Sequence, residues 1–483
     1  MGVLSNLEPN KVFHYFEEIC NIPHGSGNVE QISDYLVQFA KDRGLFYIQD
    51  EVKNVIIVKE ASEGYEDQPA IILQGHMDMV AVKKPEATID MATEGLKLQV
   101  EGDLISADGT SLGGDDGIAV AYALALLDSN DLKHPRLEVV ITVDEEVGMD
   151  GARAIDLSSL TGKQMLNLDS EEEGIFLTSC AGGARIYTYM PYATAEVSGV
   201  MYRISVEGLL GGHSGAEIHK ERGNSNILMG RLLYELTSQM PVCLDDVKGG
   251  LADNAIPRQT VATVMIAPED EEKFRDVILN FEKDVKAELA TKDPDFGMTV
   301  VCMGEDKGTY VDSESTAALA SYLMALPNGV QAMSADMPGL VETSLNLGIM
   351  ELNLSEQELI CEFSVRSCIE SAKQALIHKV SSVTELAGGS YSISGDYPGW
   401  AFRVDSPLRE KMISVYEEMY GAKPEVMAIH AGLECGILAS KIEDLDCISF
   451  GPNMKDIHTT EETLSISSTK RVWEFLVKFL ETK

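Results

Sequence analysis

No apolar run of about 18 residues occurs in this 483-residue chain, so no membrane span is expected. Basic residues are scarce: 38 lysines and arginines stand against 78 aspartates and glutamates, a formal charge of −40. That imbalance repels phosphate backbones and anionic lipid, so neither nucleic acid nor a membrane is expected as a partner; a solvated surface is its plain meaning. Cys-x-x-Cys pairs are missing. The eight cysteines (Cys20, Cys180, Cys243, Cys302, Cys361, Cys368, Cys435, Cys447) read as reduced, mostly buried thiols of a cytoplasmic protein. The opening Met1-Gly2-Val3-Leu4-Ser5-Asn6 has no basic region followed by an apolar one, and Asn6 breaks the myristoylation pattern, so neither a secretory leader nor that lipid is expected.

What is present is a series of buried-looking strands that end in metal-ligand residue types. Ile71-Ile72-Leu73-Gln74-Gly75 runs into His76 and Asp78, Leu137-Glu138-Val139-Val140-Ile141-Thr142-Val143 into Asp144-Glu145-Glu146, and Met165-Leu166-Asn167-Leu168 into Asp169. In an open α/β sheet, ligands gather beyond the carboxyl ends of strands, so tips separated in sequence converge in space. Between them lies Gly113-Gly114-Asp115-Asp116-Gly117, ahead of an apolar stretch to Leu127 that describes a buried helix. Its N-terminus favours a carboxylate, so simple capping is the bland reading of either aspartate alone. Likewise, a lone histidine after a strand is usually a satisfied loop residue. Together, four tips ending in His, Asp, Glu and Asp within one hundred residues predict a centre for two metal ions that share Asp115. Adjacent side chains point differently, so one of Glu145 and Glu146 binds metal while the other is free to take a proton.

A rival motif crosses the same stretch. Gly109-Thr110-Ser111-Leu112-Gly113 fits the Gly-x-Ser-x-Gly nucleophile elbow, but the preceding Glu101 to Asp108 is polar and Gly-broken where a tight buried strand is needed. Elsewhere, helical spacing covers residues 8 to 20 and 29 to 43, with His24 in a loop between them. The length favours two domains over one. After residue 187 the text changes: Met201 to Val206 alternates like a half-buried strand, helices follow at 224 to 239, 269 to 290 and 369 to 386, and strands at 298 to 303 and 341 to 365. Residues 187–395 are therefore expected to form an inserted α+β domain, with 1–186 and 396–483 forming the metal domain.

Gly75-His76-Met77-Asp78, Gly113 to Gly117, Asp144-Glu145-Glu146, Asn167 to Glu171, Gly211-Gly212-His213-Ser214-Gly215 and His458 resemble the co-catalytic zinc metallopeptidases that include carnosinases, aminoacylases and carboxypeptidase G. Asp253 to Arg258 and His430 to Gly436 resemble its aminoacyl-histidine dipeptidase branch. The resemblance implies an α/β, aminopeptidase-like metal domain, its mixed sheet flanked by helices, and an inserted lid through which a homodimer forms. It implies zinc held by His76, Asp115 and Asp169, a second zinc held by Asp115, Glu146 and His458, and a cis peptide between Asp115 and Asp116. Glu145 is then the base for a water bridging the metals, and Asp78 orients His76. His213 polarises the scissile carbonyl, Asn254 and Arg366 bind the substrate carboxylate, and Glu434 meets the free amine.

The implied activity is dipeptide hydrolysis, with Xaa-His among the substrates. An N-acyl amino acid deacylase on the same scaffold and a non-catalytic metal-binding assembly protein are the alternatives. The chain departs from the dipeptidase pattern where Ala and Asn are expected, having Gly114 and Asp116. An extra acid beside the bridge bears on metal choice, zinc against manganese or cobalt, and on the basicity of bound water.

Overall fold

The computed structural model describes residues 2–483, and they fold as two compact units. One comprises the chain up to Ser179 with Phe402–Ala428 and Leu433–Lys483; the other comprises Cys180–Ala401 and Ile429–Gly432. The sequence pattern puts the breaks near 187 and 395. They lie further out because Gly182–Pro191 and Ser390–Tyr397 are strands of the second unit that pair with each other, Ser390 opposite Tyr189.

The first unit is built on an eight-stranded mixed sheet. At its centre Ile71–His76 runs parallel to both Leu137–Thr142 and Gln164–Asn167, and Asp446–Ser449 runs parallel to the latter. Ile71–His76 and Leu137–Thr142 are buried throughout, as expected of parallel strands covered on both faces. The register sets His76 opposite Thr142 and Gln74 opposite Asn167, so all three strands stop at one edge of the sheet. Each continues into a carboxylate-bearing loop.

Gly114–Leu127 is buried at every position, because its apolar residues circle the whole axis. It packs in a core with Phe13, Phe16 and Ile19 of the helix Asn10–Cys20 and Phe475 and Phe479 of the helix Ile466–Glu481. Its first residues are not regular: Asp115 has an extended ψ of 105°, and the bond from Asp115 to Asp116 is cis. The polar stretch before Ser111 forms a hairpin, Leu98–Glu101 with Leu104–Ala107, in a small sheet with Thr463–Ser465 and Met454–Lys455. Ser111 is fully buried, and its hydroxyl donates to the Val80 carbonyl at 2.6 Å, which removes it as a nucleophile.

The second unit carries a nine-stranded antiparallel sheet with the helices Ser225–Thr237, Glu271–Glu288, Ser313–Ala325 and Glu370–Leu386, an α+β arrangement. The long apolar stretch from 341 resolves into a hairpin, Val341–Asn353 and Glu358–Ser367. Its turn contains Gln357 at φ 56°.

One buried acid shows how the first unit's polar interior is kept satisfied. Glu138, on a central strand, is fully buried, and its carboxylate accepts from the amides of Thr161 and Gly162, the Thr161 hydroxyl and Arg136 Nε at 2.8–3.0 Å. Burial opposes its charge, but Arg136 and the two amides outweigh it and hold the carboxyl below its ordinary range. A depressed carboxyl stabilises the fold above its unfolded pKa of about 4.3 and loses that contribution as pH falls through the lower folded value. Urea titrations are expected to show Glu138→Ala destabilised by about 2–4 kcal/mol at neutral pH. Glu138→Gln should show a shallower loss of stability below about pH 4.3 than the parent chain.

Candidate functional site

Asp115 sits where the glycine turn delivers it, at the entrance of the buried helix, with each carboxylate oxygen facing a different histidine. Oδ1 lies 3.1 Å from His76 Nε2, and Oδ2 lies 3.0 Å from His458 Nε2. His76 is also 3.8 Å from Asp169 Oδ1, and His458 is 3.0 Å from Glu146 Oε1. On the other edge of the His76 ring, Nδ1 is 3.0 Å from the Asp78 carbonyl oxygen. A carbonyl only accepts, so Nδ1 carries the proton and Nε2 is the atom turned to the carboxylates. Burial disfavours charge on His76, yet Asp115, Asp78 and Asp169 raise its pKa well above the ordinary value. Asp115 and Glu146 likewise raise His458 to about 10.

Both rings thus hold their Nε2 atoms in a place that favours a bound cation. The wider donor set agrees. Ligand atoms of His76, Asp116 and Asp169, of His76, Glu145 and Glu146, and of Asp115, Glu146 and His458 lie within 4.8 Å of one another in each group. Burial pushes the Asp169 carboxyl well above its usual range despite His76, with Asp115 and Glu145 adding repulsion. Imidazole nitrogens and carboxylate oxygens in this crowding fit two divalent ions better than they fit water.

Glu145 and Glu146 follow Asp144, whose positive φ of 53° turns the chain as the strand ends. The Asp78 carboxylate accepts the amide of Glu145 at 3.1 Å and that of Glu146 at 3.4 Å, and the Ser26 hydroxyl donates to it at 2.8 Å. It stands 3.6 Å from His76 Nδ1. Its carbonyl is therefore what orients the ring, while its carboxylate fixes the glutamate turn. Burial raises Glu145 to about 7 against the pull of His76, with Glu146 and Asp115 contributing. Asp116 is fully buried: its Oδ2 accepts the His76 amide at 3.2 Å, and its Oδ1 has no hydrogen-bond partner. Gly75 makes that approach feasible, because a Cβ there would lie 2.4 Å from Asp116 Oδ2.

Glu434 is fully buried in the same unit. Its Oε2 accepts from Gln74 Nε2 and Thr142 Oγ1, both at 2.6 Å, while Oε1 has no partner. Burial raises its carboxyl to about 8, and Glu145 adds to the effect. Asn167 donates to Gln74 at 2.6 Å, so polar residues inside apolar strands form a chain beneath the strand tips. Nothing in the sequence reading singled out Gln74, Thr142 or Asn167; a polar side chain in an otherwise apolar buried strand was the available sign. Glu462 was missed as well. It is buried, and its two oxygens accept the amides of Leu112, Gly113, Gly114 and Asp115 at 2.8–3.4 Å, which fixes the turn that presents Asp115.

The remaining candidates, His213, Asn254 and Arg366, lie in the second unit. His213 pairs with Ala255 in a two-stranded ladder, and the Ser214 amide donates to the Asn254 carbonyl at 2.8 Å. Asn254 and Arg366 line one cavity of about 90 Å³ together with Arg185, Ser364 and Tyr397. Arg366 is 9% exposed, and its Nε has no hydrogen-bond partner. A buried, partly unsatisfied guanidinium in a small cavity suits a carboxylate.

The profile of peptidase family M20/M25/M40 matches residues 72–482. The cytosol non-specific dipeptidase of Escherichia coli (strain K12) is 34% identical over 483 residues, covering 100% of this chain and 99% of that protein. The crystal structure of aminoacylhistidine dipeptidase from Vibrio alginolyticus has 35% identity and a TM-score of 0.95, covering 99% of this chain and 97% of that one. Aminopeptidase PepT from Bacillus cereus, 16% identical with a TM-score of 0.56 over 98% of both chains, shares the fold.

If Glu462 holds the Asp115 turn, Glu462→Ala strands buried amides and lets the carboxylate between the histidines move. Calorimetric titration with zinc or manganese is expected to show affinity reduced about 10- to 100-fold. Thermal unfolding without metal should show a loss of about 2–4 kcal/mol. Unchanged affinity would remove Glu462 from the support of the site.

Proposed function

The chain belongs to peptidase family M20/M25/M40, and we propose that it cleaves dipeptides by attack of water on the peptide carbonyl, with Glu145 as base beside two divalent ions. It is a metal-dependent peptide-bond hydrolase whose substrates are dipeptides. The residue roles, the metal and the assembly are the proposal. The observation that carries it is Asp115, with one carboxylate oxygen turned to each of two histidines. His76, Asp115 and Asp169 would hold one ion and Asp115, Glu146 and His458 the other; zinc is the first choice, with manganese or cobalt as the alternatives opened by the extra carboxyl of Asp116. When bound, such a pair supplies a Lewis acid for the carbonyl and brings the pKa of water towards about 7.

The chain's own groups do the rest. Glu145, with a carboxyl raised to about 7, is matched to accept a proton from water near neutral pH and return it to the leaving amine. Asp78 keeps the Glu145 amide in place and orients His76 through its carbonyl. His213 donates a hydrogen bond to the carbonyl oxygen as negative charge develops, from its own chain or from the second copy of a homodimer assembled through the 187–395 lid region. Asn254 and Arg366 take the substrate carboxylate, and the free Oε1 of Glu434 takes its amine, a contact that an N-acylated substrate cannot make. A cytoplasmic location belongs to the same reading; among the described residues no helix is long and apolar enough to cross a membrane.

Hydrolysis of a neutral dipeptide, an Xaa-His dipeptide and an N-acetyl amino acid tests this. Dipeptide cleavage should disappear with a chelator and return with zinc or manganese. Glu145→Gln should lower kcat by about 10²- to 10⁴-fold with metal still bound. Faster turnover of the N-acetyl substrate would favour a deacylase, and chelator-resistant activity lost in Ser111→Ala would overturn the metal mechanism.

A further inference from the structure

His213 lies at the mouth of a tight turn whose hydrogen bonds constrain its ring as well as its backbone. Nδ1 accepts two amides of its own turn, Gly215 N–H at 3.2 Å and Ala216 N–H at 3.0 Å. A ring nitrogen that accepts does not carry a proton, so the neutral ring has its proton on Nε2. Forming the imidazolium would turn an Nδ1–H against two N–H donors. The cation is thus disfavoured while the turn stands.

We propose that the turn from His213 to Glu217 fixes His213 as a neutral Nε2–H donor and that Glu217 is the residue that positions it. The turn is closed reciprocally. Glu217 Oε2 accepts the His213 amide at 3.0 Å, and the Glu217 amide donates to the His213 carbonyl at 2.9 Å. Glu217 Oε1 is held in turn by Lys220 at 2.7 Å and Arg222 at 3.2 Å. Lys220 and the His213 amide keep the Glu217 carboxyl down to about 2, so this clamp remains charged through the neutral and mildly acid range. Gly215 makes the geometry possible, since a Cβ there would stand 2.5 Å from the His430 carbonyl oxygen and 3.0 Å from His213 Cε1.

The surroundings act in the same direction. Loss of water and the Arg366 guanidinium, on the strand Glu358–Ser367, lower the His213 pKa, and Glu217 alone opposes them. His430, from the segment 429–432, adds no charge: burial, Arg366 and His213 push it to about 3, and its Nε2 is 2.7 Å from the Ser344 hydroxyl. In this arrangement His213 offers a carbonyl oxygen a hydrogen bond without giving up the proton. Proton transfer is left to Glu145. The assignment rests on the reading of His213 as the donor to substrate, but the tautomer itself is measurable in the ligand-free protein.

The experiment is long-range proton–nitrogen NMR of the full chain labelled with 15N-histidine, the ring of His213 being assigned by its loss in His213→Asn. The expected spectrum has Nδ1 unprotonated and Nε2 protonated, in one tautomer, persisting as pH falls below the ordinary histidine value of about 6.5. A protonated Nδ1, a tautomer mixture in the parent chain, or an imidazolium forming near that ordinary value would overturn the proposal. Glu217→Ala should give a tautomer mixture and a kcat on dipeptide about tenfold lower with KM little changed, and Glu217→Gln, which keeps an acceptor for the His213 amide, should restore both. A single tautomer surviving in Glu217→Ala would remove Glu217 as the positioning residue. The expected spectrum together with undiminished hydrolysis in His213→Asn would leave the tautomer lock standing and sink the catalytic reading of His213.

Discussion

Everything around the metal centre answers to one electrostatic constraint: carboxyl groups gathered at the end of a buried sheet repel one another more strongly as water is removed. Asp78, Asp115, Asp116, Glu145, Glu146, Asp169 and Glu434 are all drawn into that region, and His76 and His458 are the cationic partners among them. The groups do not respond alike. Asp115, between the two rings, is held far below its usual range although burial opposes it, whereas burial drives Asp116, Asp169, Glu145 and Glu434 upward. Positive charge placed between the rings and their carboxylates relieves the repulsion directly. The same gradient separates Asp115, held ionised against the histidines, from Glu145, whose carboxyl is raised to about 7.

Such a cluster needs rigid holders, and they come from backbone amides more than from cations. Glu462 gathers the amides that precede and include Asp115, Asp78 gathers those of Glu145 and Glu146, and Asp116 takes that of His76. Each is a carboxylate binding the N–H groups of the segment that carries a functional side chain. An amide acceptor fixes position without placing a competing cation in the site. The parallel strands supply the remainder of the precision, since their register alone sets His76 beside the residues leading to Glu145 and Asp169.

Much of this was legible in the chain, for a definite reason. Apolar strands that stop at His76, Glu145 and Asp169 announce themselves by contrast, and Asp115 by the glycines before it and the apolar helix behind it. The cis bond after Asp115 matches what the family resemblance implies. Glu462 was not legible, because it lies almost 350 residues from the amides it binds and its neighbours Thr460 and Glu461 read as an ordinary polar loop. Gln74, Thr142 and Asn167 were hidden by the apolar residues around them; only pairing in register turns them into a chain that ends on Glu434. For Asp78 the residue was legible but the atoms were not. A spacing of two residues predicts a shared face, and it cannot say that the carbonyl meets the ring while the carboxylate meets the glutamate turn.

The two units also divide the chemistry by sign. Among the described residues, the charged side chains left with an unsatisfied buried atom are carboxyl groups in the first unit, Glu434 at Oε1 and Asp116 at Oδ1 among them, whereas in the second it is Arg366, at Nε, in a small polar cavity. A dipeptide at neutral pH carries an ammonium at one end and a carboxylate at the other. A chain of formal charge −40 recognises the ammonium end readily, but the carboxylate end has to be met against the overall field. In the second unit's cavity Arg185 is already paired with Asp253, and the Arg366 guanidinium opposes charge on His213 and His430. A second and third positive charge near Arg366 would bind carboxylate more tightly in ground and transition states alike, raising affinity without rate. A neutral donor reserves its stronger interaction for the oxygen that gains negative charge during the reaction, which is where a hydrogen bond accelerates chemistry.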